Sequence, residues 1–218
     1  MLSKTKNYIK NNKRCLLLLY WVLHFAWYEV MVDLTPLLGP YVIYSPLDDL
    51  IPFCELFIIP YSVWFFYIAA VELYTLVKGS RKDFIDLSKM LTISLFVSML
   101  IATVFPSTHE LRPIDFPRDN FLTECVKFLY KIDNPLIPAV IMPSMHVLVS
   151  LVLATVVIKS GCYEGKVKVK ISACVLSVFI CASTVFTKQH SILDVFAAIG
   201  LYVIIYIVTY HIWKTKST

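Results

Sequence analysis

The chain reads as an all-α protein, a polytopic membrane helical bundle of about six transmembrane helices with both termini cytoplasmic. Three observations carry that reading. The first is composition: 58% of the 218 residues are hydrophobic, only 16% are charged, and the mean hydropathy is +0.72. Water-soluble domains carry about 25% charged residues. The second is the length of the apolar runs, several of which approach or pass the roughly 18 to 20 residues needed to cross a bilayer. The third is the placement of Lys and Arg between the runs, which alternates along the chain. No internal repeat, low-complexity tract or Gly/Ser linker divides the sequence, so residues 1–218 read as a single membrane-embedded domain.

The first span is expected over 16–34. A charged start followed by an apolar run resembles a signal peptide. No small-residue cleavage site follows it, and "HFAWYEVMVDL" extends the run to spanning length, so it reads as a retained helix. The second span covers 51–77, with Pro60 expected to kink it. The third covers 84–105, the fourth 137–158, the fifth 169–186 and the sixth 191–213. The six cysteines, Cys15, Cys54, Cys125, Cys162, Cys174 and Cys181, are spread through these runs. None forms a close pair of the metal-binding kind, so neither a disulfide framework nor a zinc site is inferred.

Orientation follows from the short loops. Lys4, Lys6, Lys10, Lys13 and Arg14 precede the first span, and "GPYVIYSPLDDLIP" after it has no Lys or Arg. The next loop carries Lys78, Arg81 and Lys82. Lys159, Lys166, Lys168 and Lys170 lie between spans four and five, Lys188 alone lies between five and six, and Lys214 and Lys216 are in the tail. The third-to-fourth connection, 106–136, breaks the pattern: it holds Arg112, Arg118, Lys127 and Lys131 on the side that should be poor in positives. That exception suggests a local use for them.

Three polar stretches fall on this same outer side: "FPSTHELRP" after span three, "MPSMHVLVS" in span four and "TKQHSILD" entering span six. Residues four apart stack on one helix face, which places Asp194 one turn below His190. A carboxylate there fixes the imidazole tautomer and leaves the other ring nitrogen free as an acceptor or nucleophile. A carboxylate inside a span needs a partner, and His190 is the nearest. The helix start at this pair should also favour an anion. In "PSMH", Pro143 suits a helix start, Ser144 can cap it or meet an oxyanion, and His146 falls in the first turn. Arg112 offers a planar cation able to grip phosphate through two parallel bonds. Two His, an Asp, an Arg and a helix start make a phosphoryl-transfer site that needs no metal. Each piece also has a plainer reading: a helix-locking His–Asp hydrogen bond, a Ser cap, Arg118 meeting lipid head groups. His24 is read as packing, and Glu29, Glu55 and Glu72 as cavity-facing or paired between helices.

The order and content of these stretches resemble the type 2 phosphatidic acid phosphatase, or lipid phosphate phosphatase, superfamily. Its three motifs are a basic stretch ending in Arg-Pro, a Pro-Ser-Gly-His stretch, and a Ser-Arg stretch followed by His and, four later, Asp. Here they correspond to "FPSTHELRP", "PSMH" and "STVFTKQHSILD". Phe105 stands where the first motif has Lys, Met145 replaces the Gly, and Thr184 replaces the Arg after Ser183. Motifs reduced in this way are similar to the inositol phosphorylceramide synthase-like branch, which moves a phosphate-bearing head group between lipids.

The resemblance implies that His190 is a nucleophile forming a phosphohistidine and that Asp194 orients it. It implies that His146 is the acid for the leaving group and then the base for water or an acceptor alcohol. It assigns phosphate binding to Arg112 and Ser144, with Lys188 replacing a lost cation, and it implies no metal and no cofactor. The expected activity is hydrolysis or transfer of the phosphate of a lipid phosphate, of the phosphatidate or polyprenyl type, at the extracytoplasmic face. Hydrolysis is preferred; the alternatives are head-group transfer and a non-catalytic lipid-binding or transport protein. The expected partners are the lipid phosphate and the bilayer, with no nucleic acid and the oligomeric state open. A bacterial cytoplasmic membrane with the site facing outward is the expected location.

Overall fold

The structure is a computed structural model and describes residues 13–133 and 138–212. Lys4, Lys6, Lys10, Lys214 and Lys216, and the expected span ends at 137 and 213, lie outside the described residues. A 3-10 turn, Lys13–Leu18, leads into α1, Leu19–Leu34. The connection that follows holds β1, Tyr41–Val42, and α2, Pro46–Leu50. After a second 3-10 turn, Glu55–Phe57, come α3, Ile58–Lys78, and α4, Arg81–Val104. β2, Ser107–Thr108, pairs in parallel with β1 and is the only strand partner among the described residues. α5, Phe121–Asp133, α6, Met145–Lys159, α7, Val167–Phe186, and α8, Ile192–Ile207, complete the bundle, and a π turn, Val208–Ile212, extends α8.

Five helical segments are long and apolar enough to cross a membrane: Leu16–Leu38, Glu55–Lys78, Arg81–Val104, Val167–Phe186 and Ile192–Ile212. They match five of the six expected spans within a few residues. The fourth does not. Of the described part of that span, 138–158, only the stretch from Met145 is helical, and α6 has 15 residues. At 1.5 Å per residue it is about 22 Å long, short of a ~30 Å hydrocarbon core. Pro143 cannot donate to a helix and disfavours helical geometry at Met142, and Val140 sits at φ +55°, so 138–144 runs as an irregular approach. Hydropathy does not separate such an approach from the helix behind it.

α6 is apolar on every side, which suits a helix surrounded by others. Val147, Leu148, Val149, Val152 and Leu153 are fully buried, against α3, α4, α7 and α8. Leu87, Met90 and Leu91 of α4 complete the centre. The outer helices carry their apolar residues on both faces: Leu23, Phe66 and Val178 are each more than two-thirds exposed. Pro60 does not kink α3. It is the third residue of the helix, where a backbone N–H has no intrahelical partner to lose.

Two of the three acids left unassigned in the sequence, Glu72 and Glu55, have partners. Glu72 of α3 accepts from Tyr20 Oη and from Trp21 Nε1 at 3.0 Å, tying α3 to α1. Glu55 pairs with Arg118 at 3.1 Å and accepts from Asn120 Nδ2 at 3.1 Å, so Arg118 braces the α5 connection. Glu29 is exposed. At the end of the bundle where α3 passes into α4, Ser80 and Asp83 form a capping box for α4. Asp83 also receives Gly161 N–H at 3.3 Å, joining the α3–α4 turn to the α6–α7 loop.

Gly79 makes that turn possible. A Cβ there would stand 2.4 Å from the Thr75 carbonyl oxygen. Gly79→Ala is expected to destabilise the fold by about 1–3 kcal/mol, read as a lower melting temperature of the purified protein.

Candidate functional site

The polar stretches meet at the opposite end of the bundle, where α4 and α7 finish and α3, α6 and α8 begin. The α8 start is built first. Ser191 is its N-cap and forms a capping box with Asp194: Leu193 N–H donates to Ser191 Oγ at 3.2 Å, and Ser191 N–H donates to Asp194 Oδ2 at 2.9 Å. The same oxygen lies 3.3 Å from His190 Nδ1. A fully buried carboxylate therefore closes the helix and holds the ring one turn before it. Nδ1–H is the donor in that contact, which leaves Nε2 as the open edge of His190.

The expected anion at this helix start is not accommodated. Ile192 N–H already donates to Asp48 Oδ1 at 2.7 Å, so a protein carboxylate fills the position.

α6 begins differently. Ser144 is its N-cap, but its Oγ makes no capping bond and is fully buried without a partner. The Ser144 amide donates to the Asp194 carbonyl at 3.2 Å, which seats α6 against α8. The first-turn N–H groups behind it have no intrahelical acceptor. His146 lies in that turn, its ring against Tyr61 and Trp64 of α3 with centroids 4.2 and 4.1 Å away. Its Nε2 is enclosed and unpartnered. The His146 and His190 centroids are 6.2 Å apart.

Both rings line one cavity of about 40 Å³, together with Tyr28, Tyr61, Asp133, Gln189, Met145 and residues 139–141. That is room for roughly three waters, or for one small tetrahedral group.

Arg112 stands behind the cavity wall. Its Nη2 donates to Gln189 Oε1 at 2.9 Å and pairs with Asp133, and its guanidinium lies 4.5 Å over the Tyr130 ring. Gln189 and Asp133 are the wall itself, so Arg112 reaches the cavity through them. The Gln189 Nε2 is buried and unpartnered. Lys188 is not at the cavity. Its ammonium donates to the Asp48 and Ile51 carbonyls at 2.8 and 2.5 Å, and Lys188 itself sits at φ +54°. The turn bends the side chain back over the α1–α3 connection, so the replacement cation expected there is used for bracing.

The structure thus brings His146, His190 and Asp194 together, with Ser144 and Arg112 beside them, and takes Lys188 away. It adds His109, Gln189, Asp133, Tyr61 and Asp48, to which the sequence reading gives no role. His109 and Gln189 lie inside the polar stretches already singled out, a signal that was present. His109 is buried: its Nδ1 accepts Leu111 N–H at 3.2 Å and its Nε2–H donates to the Gln189 carbonyl at 2.8 Å. That pattern is a neutral ring, and burial pulls its pKa down to about 3 although the Gln189 carbonyl opposes the shift.

No family model matches the chain, and no curated protein or solved structure matches it.

The His109 ring adds a pH dependence to stability. Between about pH 6.5 and about pH 3 the unfolded chain binds a proton at this ring that the folded chain does not. Its contribution is complete above pH 6.5 and declines as pH falls through that window. His109→Gln keeps a donor without titrating, and is expected to flatten the fall of melting temperature between pH 6.5 and pH 4 relative to the parent protein.

Proposed function

We propose that this chain is an integral membrane enzyme that transfers the phosphate group of a lipid phosphate, to water in the first instance, through a phosphohistidine on His190. The observation that carries the reading is a pair of imidazoles 6.2 Å apart on one cavity, one of them backed by a buried carboxylate. Five long apolar helices with exposed apolar faces supply the means of lying in lipid. Lys78, Arg81, Lys82, Lys159, Lys166, Lys168 and Lys170 all belong to the end of the bundle remote from the cavity. Under the positive-inside rule that end is cytoplasmic and the cavity faces outward.

In the proposed reaction His190 Nε2 attacks phosphorus, and the P–O bond to the lipid breaks. The departing oxygen takes a proton from protonated His146 across the cavity. His146 then removes a proton from water, whose oxygen attacks phosphorus, breaks the P–N bond and releases His190. Asp194 stabilises the positive charge that His190 carries in between. The first-turn N–H groups of α6 and Gln189 Nε2 are the donors proposed to meet the phosphoryl oxygens, with Ser144 Oγ buried at the N-cap behind them.

A second reading, transfer of a phosphate-bearing head group from a phosphodiester lipid, is favoured by one feature. Asp133 matches the charge of Arg112 and sets a carboxylate on the cavity wall. A dianionic monoester is repelled by it more than a singly charged diester.

The test is turnover of labelled lipid phosphates, monoester and diester, by the reconstituted protein. His190→Ala should lose at least about a thousandfold in kcat and His146→Ala at least about a hundredfold. Label trapped on the protein should be lost with His190. Parent-level turnover in His190→Ala defeats the nucleophile, and lipid binding without any turnover supports a non-catalytic protein instead. Asp133→Asn should lower KM for a monoester about tenfold relative to a diester; an unchanged ratio removes the case for the diester.

A further inference from the structure

We propose that Asp48 is a positioning residue for His190, acting through the start of α8. The proposal rests on the reading of His190 as the nucleophile. Asp48 belongs to α2, in the connection between α1 and α3, and is 2% exposed. Part of its work is local, since Ser45 N–H donates to Asp48 Oδ2 at 2.9 Å and closes the α2 capping box. A five-residue helix gains little from such a cap. The remaining bonds reach across more than 140 residues of sequence. Ser191 Oγ–H donates to Asp48 Oδ2 at 2.6 Å and Ile192 N–H donates to Asp48 Oδ1 at 2.7 Å. Both oxygens of one buried carboxylate are committed to the two residues that follow His190.

The residues before His190 are held by the same connection. Lys188 Nζ donates to the Asp48 carbonyl at 2.8 Å and the Ile51 carbonyl at 2.5 Å, and Cys54 N–H donates to the Phe186 carbonyl at 2.9 Å. His190 is therefore bracketed at 186, 188, 191 and 192 by residues 48–54. The bracket adds to the turn's own bonds: Gln189 and His190 N–H both donate to the Thr184 carbonyl at 3.0 Å, around a Lys188 that adopts φ +54°, an uncommon conformation for an L residue. Released, the turn would swing the His190 ring away from Asp194 and from the cavity. The Asp48 carboxylate also occupies the α8 helix start, where a phosphate would otherwise compete, and leaves the α6 start as the open one. Its negative charge suits the positive end of the helix dipole.

The experiment compares Asp48→Ala, Asp48→Asn and Asp49→Ala in the full reconstituted chain. Asp49 is the adjacent carboxylate, bonded to Tyr44 instead, and serves as the control. The first measurement needs no turnover: hydrogen exchange of the peptide 186–195 and carbethoxylation of His190. Both should accelerate at least about fivefold in Asp48→Ala and stay at the parent rate in Asp49→Ala. The second is kcat per folded molecule. It should fall about tenfold or more in Asp48→Ala with KM within about twofold, and Asp48→Asn, which keeps one acceptor oxygen, should recover part of it. If Asp48→Ala does not fold, Lys188→Met breaks the other arm of the bracket and should move both measurements the same way. Unchanged exchange and reactivity overturn the proposal. So does faster exchange with parent kcat, which would make Asp48 a cap and nothing more. A parent protein with no turnover on any lipid defeats the enzymatic reading, and the exchange measurement still decides whether Asp48 holds the turn.

Discussion

The start of α8 is the joint on which this end of the bundle depends. Two buried carboxylates meet there. Asp194 comes from the helix itself and Asp48 from a connection far away in sequence, and between them they satisfy the Ser191 and Ile192 amides and the Ser191 hydroxyl. Asp194 then has an oxygen to share with His190. Burying two carboxylates is costly unless they are met by donors; the helix start provides them for both oxygens of Asp48 and for Oδ2 of Asp194, and Asp194 Oδ1 stays without a partner. The same geometry that ends the helix cleanly sets the orientation of an imidazole, so the cap and the site are one construction.

Around that joint the other elements are placed by α6. It is short, apolar on all sides and enclosed, and its N-cap amide rests on the Asp194 carbonyl. A helix of this length in the middle of longer ones puts its first turn below the end of the bundle. His146 is consequently recessed, flanked by Tyr61 and Trp64, and faces His190 across the cavity. The irregular approach over 138–144 roofs the same space. Recession and roofing lower the local dielectric, which strengthens every charge interaction inside.

Each charged or ionisable side chain around the cavity is engaged by another group of the protein. Arg112 is matched by Asp133, with Tyr28 Oη donating to the other side of that carboxylate at 3.0 Å. His109 is held neutral, and Lys188 spends its charge on backbone carbonyls. Ser144 Oγ and Gln189 Nε2 remain as buried polar atoms without a hydrogen-bond partner. Relative to the lipid phosphatase motifs that the sequence resembles, Phe105 and Thr184 stand at two cation positions.

Hydropathy in the sequence determined a helical bundle, with five of the six expected spans present as long apolar helices, and the spacing of His190 and Asp194 determined their contact, because both are local or periodic properties of the chain. The convergence of His146 with His190 was legible only as an expectation, since it needs α6 and α8 to start at the same end. The length of α6 was not legible, because hydropathy scores an apolar loop as it scores an apolar helix. Nor were the roles of Lys188 and Asp48. A lysine before a histidine looks like a phosphate ligand, and an acidic pair in a loop looks solvated. Only tertiary structure decided that the lysine turns back onto carbonyls and the aspartate reaches α8, because those bonds join residues about 140 apart and leave no periodic trace in either segment.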